Sequence, residues 1–330
     1  MKAAWYEAKG AARDVLQVGE MERPAPGPGE VLVAIRASAV NPSDTKGRGG
    51  ARGNTAMPYP RIVPHQDGAG IIEAVGDGVP ATRIGERVWV YEAQLGRAFG
   101  TAAEYATVPA RKAVLLPEPV GFDEGACLGV PALTAHRCVF ADGPVEGKTV
   151  LVTGGAGAVG FYAVQFAKWG GAEVIASVGS AHDAAIASRA GADIVINRRE
   201  ADVVAEIARA KGGIERSVDR IVDVAFGANL AASLKVLKPR GVIATYASDA
   251  APEPALPFWP LVMLDATVRF VLVYVMDAQA HEEAVAATLD GLERGWLRHN
   301  IAARLPLERI AEAHELVERG AGGKVVIEIG

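Results

Sequence analysis

Gly155, Gly157 and Gly160 carry the first chemical signal in this chain, because they stand at the spacing that receives a dinucleotide. In that arrangement the first glycine permits a tight turn, the second lets a pyrophosphate approach the backbone, and the third lets a helix pack on a strand. The N–H groups and positive end of the helix then face the phosphates. Glycine makes up 38 of 330 residues, so spacing alone is weak and the context must carry the reading. Here the context is strong. Thr149 to Thr153 read as a fully buried parallel strand, and Val159, Ala163, Phe166 and Ala167 share one face of the helix that follows.

The next strand, GAEVIASV, ends in Ala176, Ser177, Val178, Gly179 and Ser180, without the acid that holds both ribose hydroxyls in an NAD-type site. Small and hydroxyl side chains leave room for a 2′-phosphate, which favours NADP(H). Arg198 and Arg199 follow the third strand, where a side chain can reach that phosphate or simply form a solvated face. A charge-assisted contact contributes ~1.5–3 kcal/mol, enough for one arginine to set the preference.

The elements that must position these residues have two textures. From Met1 to about Val120 the chain is strand-like, with Lys2 to Tyr6, Val31 to Val40, Gly70 to Val75 and Arg87 to Tyr91 separated by proline and glycine clusters. Gly47 to Pro64 lacks periodicity and reads as a lid or binding loop, or as a surface excursion. After Phe122, buried strands alternate with amphipathic helices at Ala181 to Ala190, Glu200 to Lys211 and Asn229 to Leu237, the pattern of a doubly wound sheet. VRFVLVYVM adds another strand; two amphipathic helices and the strand KVVIEI then break the alternation, so the chain returns to its first domain near the end. The expected fold is α/β, a Rossmann sheet at 122–265 plus a β-rich domain made of 1–121 and 266–330.

Composition bounds the function. Half the residues are hydrophobic and the net charge is −5, which argues against a nucleic-acid partner. The start, MKAAWYEAKG, has no secretory core, and Phe270 to Met276 is too short to span a bilayer, so a cytoplasmic protein off the membrane is expected. Cys127 and Cys138 have neither metal nor redox spacing and read as core thiols.

The order VNPSD, DGAGIIEAVGDGV, GERVWV, GTAAEYATV, PALTAHR, VTGGAGAVG, AGADIVINRRE and GKVVIEI resembles, from end to end, the zinc-free quinone reductases, the zeta-crystallin-like branch of the medium-chain dehydrogenase/reductase superfamily. The resemblance implies a GroES-like catalytic domain from both chain ends, a central Rossmann domain, NADP(H) in a cleft, a quinone or enone acceptor, and a homodimer or homotetramer. It also implies site residues: Asn41 and Asp44 near the nicotinamide ribose, Thr134 on the first helix of the nucleotide domain, Ala156, Gly157, Ala158 and Val159 at the pyrophosphate, and Ser177 near the adenosine phosphate. Tyr246 and Ser248 follow the fifth strand, and main chain from Phe270 to Leu272 reads the carboxamide. Two departures stand out. Asp183 and Arg198 occupy positions where many members carry a lysine and a tyrosine, and Lys46 replaces a tyrosine shortly after VNPSD.

Zinc-dependent relatives hold metal with cysteine and histidine in the first domain, and a catalytic zinc needs three such ligands around an open position. Asn41 and Gln66 stand where the cysteine and histidine would be, so no metal is expected. His65, one residue off, reads as a loop histidine with an ordinary hydrogen-bonding role, and His136 and His314 as surface or satisfied residues. Hydride transfer to an acceptor polarised by its own carbonyl then needs mainly positioning. Asn41 can hydrogen-bond that carbonyl, and the proton can come from water, Lys46 or Tyr59. The same site would serve a reductase of activated alkenes such as 2-alkenals or haloacrylates, and a nucleotide-binding protein with little turnover is the remaining alternative.

Overall fold

Runs of Val, Ile and Ala bounded by glycine and proline become strands in the computed structural model, which describes residues 1–51 and 56–330. The centre of the Gly47 to Pro64 stretch therefore lies outside the described residues. In chain order the first elements are β1 (Lys2–Trp5), α1 (Ala12–Val15), β2 (Gln17–Glu20), β3 (Glu30–Val40), α2 (Pro42–Gly49), β4 (Asp67–Val75), β5 (Arg87–Val90), β6 (Tyr105–Pro109), β7 (Ala113–Leu115) and α3 (Phe122–Gly125). There follow α4 (Gly129–Phe140), β8 (Thr149–Thr153), α5 (Ala158–Trp169), β9 (Glu173–Val178), α6 (Ala181–Ala190), β10 (Ile194–Asn197), α7 (Val203–Ala210), β11 (Val218–Asp223), α8 (Phe226–Val236) and β12 (Leu237–Thr245). The chain closes with α9 (Phe258–Met263), β13 (Thr267–Phe270), α10 (Ala278–Glu293), β14 (Ile301–Pro306), α11 (Ile310–Glu318) and β15 (Lys324–Glu328).

These elements form two compact units, Met1–Val130 with Ile301–Gly330, and Pro131–Asn300. In the first, the strands run in the order β14-β15-β3-β4-β5-β7, with β6 also on β3, among the described residues. The long β3 is the hub, antiparallel to β15, β4 and β6. Its buried residues Val31, Val33, Ile35 and Val40 join Ile72, Val88, Val90, Val325 and Ile327 in one core. Gly70 is needed beside a bulge in that pairing, since a Cβ there would lie 2.0 Å from the Ala34 carbonyl oxygen.

The second unit is a six-stranded parallel sheet in the order β10-β9-β8-β11-β12-β13. This is the doubly wound order, reversing between β8 and β11. The units change hands at Val130 and Asn300, where sequence placed the changes at 121 and 265. α3 stays with the first unit because Gly125 packs on Leu116 and Ala69. Thr267–Phe270 pairs in parallel with β12 and so belongs to the second unit's sheet.

Candidate active site and cofactor cradle

The cradle forms where β8, buried along its whole length, stops at Thr153 and α5 begins at Ala158. The left-handed turn falls at Gly154, φ 68°, one residue before the glycine expected to make it. Gly155 instead lets β9 come close, because a Cβ on it would lie 2.8 Å from the Cβ of Ala176. A Cβ on Gly160 would lie 2.1 Å from the Gly154 carbonyl oxygen, so α5 can press on the turn only with glycine there. Gly157 is the N-cap of α5, Ala158 and Val159 begin it half-buried, and the carbonyl of buried Ala156 accepts from Asn300 Nδ2 at 3.2 Å. A glycine turn under the N-terminus of a twelve-residue helix fits a diphosphate.

At the end of β9, the Ser177 carbonyl accepts from Gly154 N–H at 2.9 Å and Gly155 N–H at 3.2 Å, which ties strand end to turn. The guanidinium of Arg198 lies over Gly179, with both terminal nitrogens 3.4 Å from where a Cβ would be. Arg198 is exposed, and with Ser177 it lines a cavity of about 50 Å³. Asp183 lies in the first turn of α6, its N–H donating to Ser180 Oγ at 3.1 Å, a place where the helix dipole favours a carboxylate.

Sequence reasoning missed Asp223, fully buried at the end of β11. Its Oδ1 accepts from Thr153 Oγ1 at 2.8 Å, Ala225 N at 2.9 Å and Asn229 Nδ2 at 2.7 Å, while Oδ2 has no partner among the described residues. Its place, an acid ending a buried strand at the reversal of strand order, is the signal that would have found it. Nearby, Tyr246 is half-buried just past β12, with its N–H on the Asp223 carbonyl at 3.2 Å. Ser248 donates to the Ala251 carbonyl at 2.5 Å and accepts from Gly227 N at 2.9 Å. Thr134 is buried on α4, whereas Phe270 and Leu272 are 70% and 54% exposed at the open edge beside β12.

In the first unit, Asn41 is 1% exposed and both ends of its amide are engaged. Nδ2 donates to Asp67 Oδ2 at 2.7 Å, and Oδ1 accepts from Lys324 Nζ. An ammonium only donates and a carboxylate accepts, so this pattern settles which way the amide points. Asp67, fully buried, also accepts from Val130 N at 2.9 Å and lies 3.3 Å from Lys324 Nζ. Burial pushes its carboxyl upward, and Lys324, Asn41 and the Val130 N–H pull it back. Gly129 is the neighbour that makes room, since a Cβ there would meet Asp67 Oδ1 at 2.0 Å. Sequence reasoning missed Asp67 and Lys324, whose partnership spans most of the chain.

Asp44 caps α2 by accepting Asn41 N–H at 2.7 Å, and burial pushes its carboxyl up to about 7. Pro42 at the first helical position, Asn41 before it and Asp44 after it are the start signal for this otherwise polar helix. Lys46 is half-buried on α2, and the Tyr59 hydroxyl donates to the Gly96 carbonyl at 2.5 Å. His65 is a hydrogen-bonded loop histidine as expected, and of the two readings of His314 the satisfied one holds and the surface one does not: both are fully buried and face each other with Nε2 atoms 2.9 Å apart. His136 is buried too, packed on Phe140 and Phe166, and desolvation lowers it to about 4.

Among the described residues no group of three or more His, Cys, Asp or Glu is placed to hold a metal ion. Cys127 and Cys138 are buried and unpaired, and burial pushes the Cys127 thiol up to about 12. Among those residues no helix is long and apolar enough to cross a membrane.

Residues 27–118 match the alcohol dehydrogenase GroES-like domain, and residues 158–290 match the zinc-binding dehydrogenase model. The chain is 32% identical to the quinone oxidoreductase of Homo sapiens over 308 residues, 92% of this chain and 90% of that protein. The structure of Escherichia coli quinone oxidoreductase complexed with NADPH is similar at a TM-score of 0.85 and 26% identity over 100% of both chains. That of an NAD-dependent alcohol dehydrogenase gives 0.89 and 29%, again over 100% of both. With this identity sustained over nearly its whole length, the chain belongs to the zeta-crystallin-like quinone oxidoreductase family of the medium-chain dehydrogenase/reductase superfamily and is an oxidoreductase.

Proposed function

We propose that the protein is an NADPH-dependent reductase that transfers a hydride to a quinone without a metal. The observation that carries this reading is the glycine turn under α5 with the Arg198 guanidinium standing over Gly179 beside Ser177. In it, main chain from Ala156 to Val159 holds the diphosphate and Arg198 with Ser177 takes the 2′-phosphate. The family resemblance assigns Thr134, Tyr246, Ser248 and the chain from Phe270 to Leu272 to the nicotinamide half, and Asn41 and Asp44 to its ribose. NADPH, when bound, supplies the hydride. A quinone is activated by its own carbonyls, so the side chains contribute position and fixed dipoles. Asn41, buried with both ends of its amide committed to Asp67 and Lys324, acts through the fixed geometry of that cluster and not by bonding the acceptor carbonyl as the sequence suggested, and the proton comes from solvent or Lys46, the Tyr59 hydroxyl being directed at Gly96. What supports a metal-free site is the donor set: Asn41, standing where zinc-dependent relatives place a cysteine, is committed to Asp67 and Lys324.

A homodimer and a cytoplasmic setting belong to the same reading. The dimer is supported by the open edge of β13, flanked by exposed Phe258, Trp259, Met263 and Val275. Two unpaired buried thiols suit a reducing compartment.

The test is loss of reduced-cofactor absorbance with ortho-quinones, para-quinones, enones and 2-alkenals, using NADPH or NADH, before and after dialysis against a chelator. Fastest turnover is expected for a quinone with NADPH, unchanged by the chelator. Turnover of alkenes alone would replace the quinone reading with that of an alkene reductase. No acceptor-dependent loss would leave a nucleotide-binding role.

A further inference from the structure

Six buried residues of the first unit form a hydrogen-bond chain in which every proton has one possible direction. Arg48 Nε lies 3.3 Å from His314 Nδ1, and a guanidinium can only donate, so that nitrogen is bare. A neutral His314 then carries its proton on Nε2, which lies 2.9 Å from His65 Nε2 and makes it the acceptor. His65 must in turn be protonated on Nδ1, 2.8 Å from Ser38 Oγ. Ser38 passes the direction to Thr101 Oγ1 at 2.8 Å, and Thr101 ends it on the Asp67 carbonyl oxygen at 2.6 Å. None of the six is more than 1% exposed. Arg48 is itself held by the Glu318 carboxylate and the Gly10 carbonyl.

Both rings are neutral for a physical reason. Burial lowers His65 well below its ordinary value, with His314 and the Lys324 ammonium adding to it, and burial with Arg48 alongside lowers His314 to about 3. The chain does not conduct protons, because it begins at a guanidinium that keeps its own and ends at an amide carbonyl. Its effect is to hold. His65 has a left-handed backbone, φ 80°, and two residues on is Asp67, the carboxylate that orients Asn41.

We propose that His65 and His314, locked in opposite neutral tautomers, are positioning residues that fix the main chain at Asp67 and thereby the Asn41–Asp67–Lys324 cluster. The functional half rests on the reductase reading above. The structural half is tested alone, on the full chain labelled with ¹⁵N in its six histidines, by long-range ¹H–¹⁵N correlation spectra assigned with H65Q and H314Q. His65 should be protonated only on Nδ1 and His314 only on Nε2, unchanged between pH ~5.5 and ~8, the range in which a solvated imidazole titrates. Either ring charged, or either tautomer reversed, overturns the chain.

The functional half is read from H314F, which fills the space without nitrogens, and H314Q, which keeps a donor and an acceptor. H314F should lower kcat for the quinone about tenfold, since small misplacements near a reacting centre cost at least that. Its KM for NADPH should stay within about twofold, and H314Q should recover kcat to within about threefold of wild type. If H314F does not fold, S38A removes the acceptor of His65 and reads the same split. Correct tautomers with an unchanged kcat overturn the positioning role, whereas absent wild-type turnover overturns only the reductase reading.

Discussion

At the scale of the residue, Arg198 is the side chain that the NADPH reading makes responsible for cofactor choice. Among the described residues no carboxylate pairs with it, so its charge stands available over Gly179. Replacing it with alanine should raise KM for NADPH about 10- to 100-fold, the equivalent of one charge-assisted contact, and move KM for NADH by less than about twofold. Steady-state kinetics with both nucleotides checks this, and equal losses for both would mean that Arg198 does not meet the phosphate. The strand–turn–helix unit could be read in advance because its signal is local: Gly157, Gly160 and Ser177 lie within it and the strand after it. The turn itself was misplaced by one residue, since nothing in consecutive glycines tells which one adopts positive φ. Asp67 and Lys324 escaped because a buried ion pair has no sequence spacing, and each alone looks like a solvated charge beside a strand.

At the scale of the element, α5 depends on a methyl group being absent. Gly160→Ala would bring a Cβ within 2.1 Å of the Gly154 carbonyl oxygen, where backbone cannot give way as a side chain would. A destabilisation of about 1–3 kcal/mol in urea unfolding is expected, with weaker NADPH binding at temperatures where the variant still folds. The contact of α11 with α2 has its own pH signature. An unfolded histidine takes up a proton as pH falls through ~6.5, whereas folded His314 resists until about 3. The stability contributed by this ring is therefore whole above pH ~6.5 and is lost progressively below it, at up to ~1.4 kcal/mol per pH unit.

His65 and His136 share that sign. Asp44 opposes it: its folded carboxyl is raised to about 7, so its contribution is present below its unfolded value and is lost as pH rises through about 7. Only a difference isolates His314. Between pH ~7 and ~5 the wild type should lose about 1–2 kcal/mol more than H314Q in urea unfolding. Parallel curves would mean that His314 takes up its proton in the folded state as readily as in the unfolded one. The helix α2 shows how far local pattern reaches: its capping residues announce it, yet its polar sequence hides that Asp44, Thr45 and Arg48 are buried.

At the scale of the whole molecule, the open edge of β13 and its apolar neighbours predict a second copy of the chain. Met263 and Val275 are 80% and 75% exposed. The double variant M263E/V275E should shift a wild-type dimer to monomer in sedimentation velocity, because buried like charges would face each other across the contact. A monomeric wild type, or a dimer indifferent to both charges, would remove this surface from consideration. The alternation of strands and helices made the doubly wound sheet readable, and the two helices and closing strand that break it pointed to the return to the first unit. The positions of the change, Val130 and Asn300, were not, because a compact unit is defined by contacts between distant residues and not by texture.

The placement of β15 between β14 and β3 has a further consequence for how the protein comes into being. During synthesis, β3 and the Asp67 carboxylate emerge before the second unit, while the strand that covers one and the ammonium that neutralises the other emerge only after it. The second unit, inserted between the two segments of the first, is made whole before the first can close. Loss of β15 would leave β3 with a bare sheet edge and Asp67 as an unneutralised buried acid.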